Sequence, residues 1–212
     1  MPSITYPIRL PDPQDLSAVE FTMYSIVAMS SSPFSGIQQV YRHPGQYWMG
    51  RMAVSSQPRD SAERWLAFLA SLYGRYGTFL AGDPKGGVPR GTAANSPGVP
   101  VISVASLNTD FLSIAGAMSS VTGYLMVGDY VQVGSGVATR LFKNLEQVNT
   151  TSGGVATVKI WPMLKTPPAS GATLIVKSCE GLWRLATNDP TWSADNFLTG
   201  ISFDIMEALT YP

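Results

Sequence analysis

Residues 64–84, RWLAFLASLYGRYGTFLAGDP, constrain the fold more than any other stretch of the chain. They carry the one long helical pattern in a sequence that otherwise reads as strands. Ala62, Trp65, Leu66, Leu69, Leu72 and Tyr73 recur at helical spacing and make one apolar face. Asp60 stands where an N-cap belongs, and Glu63 three positions on completes a capping-box pattern. Gly74 suits the C-terminal end, because glycine adopts the left-handed conformation there at little cost. The expected helix is 60–73, followed by a short buried strand at Gly77-Thr78-Phe79-Leu80 and a Gly-Asp-Pro stop. A helix of about 14 residues is marginal alone in water, so its face must dock. A sheet is the expected base; a membrane surface or a partner's groove is the other reading.

The rest of the chain supplies the strands. Residues 1–18 carry Pro2, Pro7, Pro11 and Pro13, which fits an extended arm, an edge strand or an irregular lead-in. In 19–29, Val19, Phe21, Met23 and Val27 share one face, with Glu20 and Thr22 opposite. After a loop at 30–36, the runs 37–42 and 47–54 flank His43-Pro44-Gly45-Gln46, a hairpin signal. Trp48, Met52 and Val54 alternate there with Met49, Arg51 and Ala53. Gly50 within that strand points to a bulge or to close packing against the helix.

Residues 85–100 differ in composition, being rich in Gly and Pro without apolar periodicity, as a linker or long loop is. Beyond them, 101–107, 124–134 (with Gly128-Asp129 as a bulge), 139–148, 155–164 and 172–178 have strand composition. Asn149 to Gly154 reads as a hairpin loop. Such short, regularly spaced strands imply a small barrel or sandwich. The strand-like runs 182–188 and 200–209, around a polar turn at 189–197, are patterned like the first 84 residues. In the second run Ile201, Phe203 and Ile205 alternate with Ser202, Asp204 and Met206. The expected fold is therefore mainly β. A β-sandwich main domain, 1–84 plus 179–212 with the docked helix, is interrupted by a small inserted β domain at 90–178.

Composition narrows the function. Lys plus Arg equals Asp plus Glu, so the net charge is zero and the basic footprint of a nucleic-acid binder is missing. Charged residues are 13% of the chain against the usual quarter, which suits a surface covered in part by other subunits. The single cysteine, Cys179, allows no internal disulfide and no cysteine zinc site. The start of the chain lacks a basic patch followed by an apolar run, and no apolar run reaches a membrane span. Folding in a reducing cytoplasm, without membrane insertion, is expected.

No catalytic constellation emerges. His43, the one histidine, sits in a turn signal, and no serine stands in a strand–turn–helix elbow to make a triad with it. The glycine-rich run 82–91, with Lys85 and Arg90, is followed by prolines where a phosphate loop would open a helix. Asp189, Asp195 and Asp204 lack calcium-loop spacing, although paired carboxylates of a glycosidase need no fixed spacing and stay open. Trp48, Trp65, Trp161, Trp183 and Trp192 could hold a sugar platform; on strands such rings more often fill cores or interfaces. The expectation is a non-enzyme with no catalytic, cofactor-binding or metal residues.

Several runs, in order, resemble distal tail proteins of long-tailed bacteriophages and prophages. They are PFSGIQQVYRHPGQYWMGRMAV, then W-x-x-F-L with Y-G-T-F-L-x-G-D-P, then GDYVQVG, RLFKNLEQV and IWPMLKTPPASG, and last GLWRLATNDPTWSADNFLTGISFDIMEAL. The likeness covers about 19–210; residues 1–18 fall outside it, and Met49, Arg51 and Cys179 depart from its pattern. The resemblance implies a virion protein of the tail tip, assembled in the host cytoplasm. Its sandwich domain would form a ring with copies of itself, typically a hexamer. That ring would join the tail-tube protein to the hub and receptor-binding tip, next to the tape-measure protein, with DNA only passing through the lumen. A lumen face without strong positive charge would let the DNA pass, and a neutral chain permits that. A tail-tube or tail-terminator subunit is the alternative of the same class. A carbohydrate-binding module for host attachment, using Trp161 and Trp192, is the alternative of another.

Overall fold

A computed structural model of the chain describes residues 4–194 and 198–209. In chain order its strands begin with β1 (Ile8–Arg9), β2 (Leu16–Tyr24), β3 (Val27–Ser31), β4 (Gln38–Arg42) and β5 (Tyr47–Gln57). The helix α1 (Arg59–Ser71) and β6 (Phe79–Ala81) follow. Next come β7 (Gly98–Val104), β8 (Phe111–Ala117), β9 (Tyr130–Val133), β10 (Arg140–Asn144), β11 (Ala156–Trp161) and β12 (Leu174–Ile175). The chain closes with β13 (Gly181–Leu185), β14 (Thr191–Ala194) and β15 (Thr199–Glu207). Strand residues far outnumber helical ones, and the fold is mainly β with one docked α-helix.

The strands form two sheets and a ribbon. The first sheet has the order β1-β6-β13-β15-β5-β2, with β14 also on β15, and so draws on both ends of the chain. The second, β12-β9-β10-β11-β8-β7, lies wholly within the interrupting segment. Its edges nearly meet: Val101 bridges Thr173, and the Ile102 amide donates to the Ala172 carbonyl at 2.8 Å. That near-closure makes a small barrel around Ile102, Leu112, Ile114, Val131, Phe142 and Val158. The ribbon is β3 paired with β4 alone. Among the described residues no helix is long and apolar enough to cross a membrane.

The helix docks on the first sheet, but its start differs from the capping-box expectation. Pro58 takes the N-cap position, its carbonyl accepts from the Ser61 and Ala62 amides at 3.1 Å, and no side chain caps the end. Asp60 lies inside the first turn, and Glu63 pairs with Arg59, one turn back, at 3.4 Å. A proline before the first turn gives up no intrahelical bond, because those amides lack partners in any helix. Ala62, Trp65, Leu69 and Leu72 are buried as their spacing required. Phe68 joins them, while Tyr73 turns out to solvent in the left-handed conformation just before Gly74. The Trp65 indole donates to Asp15 at 2.9 Å, and that bond holds the Asp15 carboxyl below its ordinary pKa.

Other expectations shift in the structure. Residues 19–29 are not one strand: β2 ends at Tyr24 and β3 begins at Val27. The runs 37–42 and 47–54 do not pair across His43–Gln46; β4 pairs back to β3, and β5 lies between β2 and β15. Gly50 packs against β2, not the helix: a Cβ there would stand 2.2 Å from the Glu20 carbonyl oxygen. The arm at 1–18 contributes β1, which pairs parallel with β6, before an irregular stretch leads to β2. The run 124–134 is a strand only over β9; Gly128 and Asp129 lie in the turn before it, not at a bulge. The strand β8 stands where none was expected. Within the expected polar turn at 189–197, Thr191–Ala194 form β14, paired with the start of β15, and 195–197 lie outside the described residues.

The two sheets share a seam. Trp48 meets Trp161 edge-on at 4.5 Å between centroids, and the Trp48 indole donates to the Leu141 carbonyl at 2.9 Å. Gln46 accepts from the Met163 amide, and Gln132 from the Glu180 amide, at 2.9 and 2.8 Å. The Gly/Pro-rich run is tied down as well. The Arg90 guanidinium pairs with the buried Asp129 carboxylate at 3.1 Å, and Ala93 enters the barrel core. Cys179 is buried at this seam, which pushes its thiol up to about 12.

Candidate assembly surface

The feature that stands apart from both cores is the β3–β4 ribbon. It is the outer half of one long hairpin whose inner half is β2 paired with β5. The two halves part at residues 25–26 and 43–46. Pro44 cannot donate to a ladder, and Gly45 lets the chain pass close to Ile26, whose Cδ1 would lie 2.6 Å from an added Cβ. The His43 amide, donating to the Ile26 carbonyl at 2.9 Å, holds the bend. At the tip, the Ser32 amide donates to the Ile37 carbonyl at 2.9 Å and its carbonyl accepts from Gly36 at 3.0 Å. Its hydroxyl accepts from the Phe34 and Ser35 amides at 3.4 and 3.3 Å. Gly36 takes φ +69°, which the tight loop requires and glycine allows.

Every residue of β3 and β4 is exposed, and many are apolar. Phe34 at the tip is 99% exposed and Ile37 beside it 70%. On the strands, Met29 and Tyr41 are each 65% exposed, with Val27 and Val40 close behind. Residues 21–41 hold no charged side chain, so covering the ribbon beyond Arg42 buries no ion. Arg42 at its base reaches Asp110 of the barrel at 4.0 Å. Scattered apolar residues on a surface are ordinary; a contiguous projecting set of them marks an interaction site. In the sequence this tip reads only as a loop, and the uncharged run around it is the available signal.

A second apolar feature lies on the barrel side, a cleft of about 510 Å³. Val133, Val137, Phe142, Leu164 and Pro168 line it, with Thr78, just before β6, at one wall. Its charged lining residue, Arg140, donates to the carbonyls of Val137 and Thr139.

The residues weighed for chemistry are dispersed. His43 is exposed, with its ring edge-on to Tyr41 at 4.7 Å. Asp204 faces Arg51 at 4.0 Å, Asp189 sits exposed in the turn before β14, and Asp195 lies outside the described residues. In the 82–91 run the Asp83 carboxylate accepts from the Lys85 amide at 2.9 Å, an Asx turn within the loop. Among the described residues, no three His, Cys, Asp or Glu side chains converge to hold a metal.

The tryptophans divide sharply. Trp48, Trp65 and Trp183 are core residues, each with its indole N–H satisfied at 2.9 Å. Trp161 is 8% exposed and spent on the seam, which removes it from a sugar platform. Trp192 is 58% exposed beside a groove lined by Leu66, Ala67, Ala70 and Pro190. No protein-family model matches the chain, and none of the curated proteins compared with it matches.

Proposed function

We propose that this chain is a structural subunit that assembles with copies of itself through the exposed ribbon, and that the assembly is a ring at the distal end of a bacteriophage tail. The observation that carries the self-assembly part is the exposed apolar ribbon, uncharged from its tip down to Arg42. A two-stranded hairpin is marginal in water on its own, and bare strand edges invite pairing or aggregation. Such a ribbon is stable in service when another surface covers it. The tail-tip part rests on the resemblance carried by the sequence runs from PFSGIQQVYRHPGQYWMGRMAV onward. In that role the ring, a hexamer, joins the tail-tube protein to the hub and tail-tip protein, beside the tape-measure protein, and passes DNA without binding it.

Gold labelling of intact particles with an antibody to this chain tests the location. Label at the distal end supports the adaptor. Label along the tail transfers the assignment to a tube subunit, and electron microscopy of open stacks instead of single rings would agree. The exposed Trp192 beside its groove favours one reading of another class, a carbohydrate-binding module. It calls for glycan-dependent quenching of tryptophan fluorescence that Trp192→Ala abolishes.

A further inference from the structure

We infer that the ribbon of one copy seats its Phe34 tip in the apolar cleft between Val137 and Pro168 of a second copy. The inference rests on the self-assembly part of the proposed function and does not need the tail-tip part.

Four observations select this occupant. Phe34 is 99% exposed, so it does not fill the cleft of its own chain. The cleft, at about 510 Å³, falls within the range of recognition pockets and has room for an aromatic ring with an aliphatic neighbour. Area reaches about half of a standard contact from the ribbon side chains alone. Met29 and Val40 share one face and Tyr41 lies on the other, so, with roughly 150–250 Å² for a whole aromatic side chain, Phe34 and one face expose on the order of 400 Å² before backbone is added. A standard interface needs about 800 Å² per partner. Charge agrees too: residues 21–41 carry none, and the cleft's Arg140 is turned to backbone carbonyls, so closing the contact strands no bare ion.

The geometry also sets the symmetry. A knob on one surface and a socket on another make a head-to-tail contact, which closes into a ring or runs on as a filament. Two ribbons laid against each other would instead make a two-fold contact. That arrangement would leave both clefts empty.

Cysteine cross-linking of full-length protein tests this. Phe34→Cys places a thiol at the tip, and Ala169→Cys places one on the exposed rim of the cleft. Native Cys179 is buried and stays silent. Mixing the two single variants under mild oxidation should give a covalent heterodimer, and the double variant a ladder of oligomers. Cross-links formed by Phe34→Cys with itself, and not with Ala169→Cys, overturn the socket in favour of a two-fold ribbon contact. Native protein that sediments as a monomer at its highest soluble concentration overturns the contact altogether. As a second readout, Phe34→Ser and the cleft-filling Ala169→Trp should each weaken self-association roughly 30-fold, the scale of an aromatic hot spot. An unchanged constant in either folded variant argues against the seat. Cross-links without particle labelling would keep this contact and discard the tail role. Tip labelling with ribbon-to-ribbon cross-links would do the reverse.

Discussion

The long hairpin from Leu16 to Gln57 has two halves of similar composition and opposite surroundings. In the inner half, Trp48, Met52 and Val54 are buried by the helix, by β15's neighbours and by the barrel's Trp161 and Leu141. In the outer half, β3 and β4 alternate side chains across the same kind of pleat, and among the described residues nothing covers either face. Pleating separates the faces of a strand pair. Burial needs a second layer, and the chain supplies one only to the inner half. Where the structure stops supplying layers is where an outside surface is called for.

The sharpest way to break this contrast is to empty the inner half. Trp48 is 1% exposed, rests edge-on against Trp161 and donates across the seam to Leu141. Trp48→Ala should cost about 3–5 kcal/mol, the range for large aromatic truncations in a core. Denaturant unfolding reads it as a lower midpoint at unchanged slope. A loss under about 1 kcal/mol would mean that the seam is loose and the inner half no better covered than the outer.

The glycines of the two halves give a smaller contrast. At Gly50 an added Cβ would sit 2.2 Å from the Glu20 carbonyl oxygen, a backbone atom that cannot yield without parting β2 from β5. Gly50→Ala should therefore cost about 2–3 kcal/mol, as overpacking does. At Gly36 nothing lies within 4 Å of the Cβ, and only the positive φ opposes a side chain. Gly36→Ala should cost about 1 kcal/mol. Equal costs would show that the inner strands slide apart more freely than their pairing implies.

A polar pocket behind the seam adds a pH signature that the ribbon lacks. Glu207 is buried, accepts from the Trp48 amide at 3.2 Å, and faces Lys165 and Arg140. Burial raises its carboxyl pKa above the ordinary 4.5, against the pull of Lys165, while burial lowers that of Lys165. A raised carboxyl pKa means that the folded state holds the proton more tightly than the unfolded one. Its stabilising contribution is full below the ordinary value and is lost as pH rises through the raised one. Glu207→Gln keeps an acceptor for Trp48 and removes the buried charge. The variant should melt higher than the native chain at pH 8, with the gap closing toward pH 4. A gap of the opposite sign, with the variant melting lower than the native chain at pH 8, would mean that the Lys165 pairing, not burial, governs this carboxyl.

The sequence shows one of the two halves far better than the other. Trp65, Leu69 and Leu72 announced the helix, and Ile201, Phe203 and Ile205 announced the buried face of β15, because each periodicity answers to a layer that the chain itself provides. Pro44-Gly45 signalled a chain reversal and made a bend instead, because β4 already had a partner in β3. Asp60 and Glu63 matched a capping box, yet Pro58 starts the turn sooner. The strand β8 went unseen because Ser113, Ala115 and Gly116 dilute its Leu112–Ile114 alternation. The ribbon's bareness could not be read from its residues: Met29 and Val40 look like any strand's inward face, and only the absence of a covering layer in the described structure reveals that they point at solvent.

The smallest expected effect tests that bareness directly. Phe34 is a large aromatic at the tip of a hairpin, and the same residue type in the core, such as Phe79 or Phe203, would be costly to truncate. At 99% exposure Phe34 has no intrachain packing to lose. Measured at high dilution, where copies stay apart, Phe34→Ala should shift the unfolding free energy by less than about 0.5 kcal/mol, as surface substitutions do. Raising the protein concentration should then stabilise the native chain more than the variant, because association favours the folded state by mass action. A loss above about 1 kcal/mol at high dilution would mean that the ribbon folds back onto its own chain. Both halves of the hairpin would then be covered from within, and no outside partner would be required.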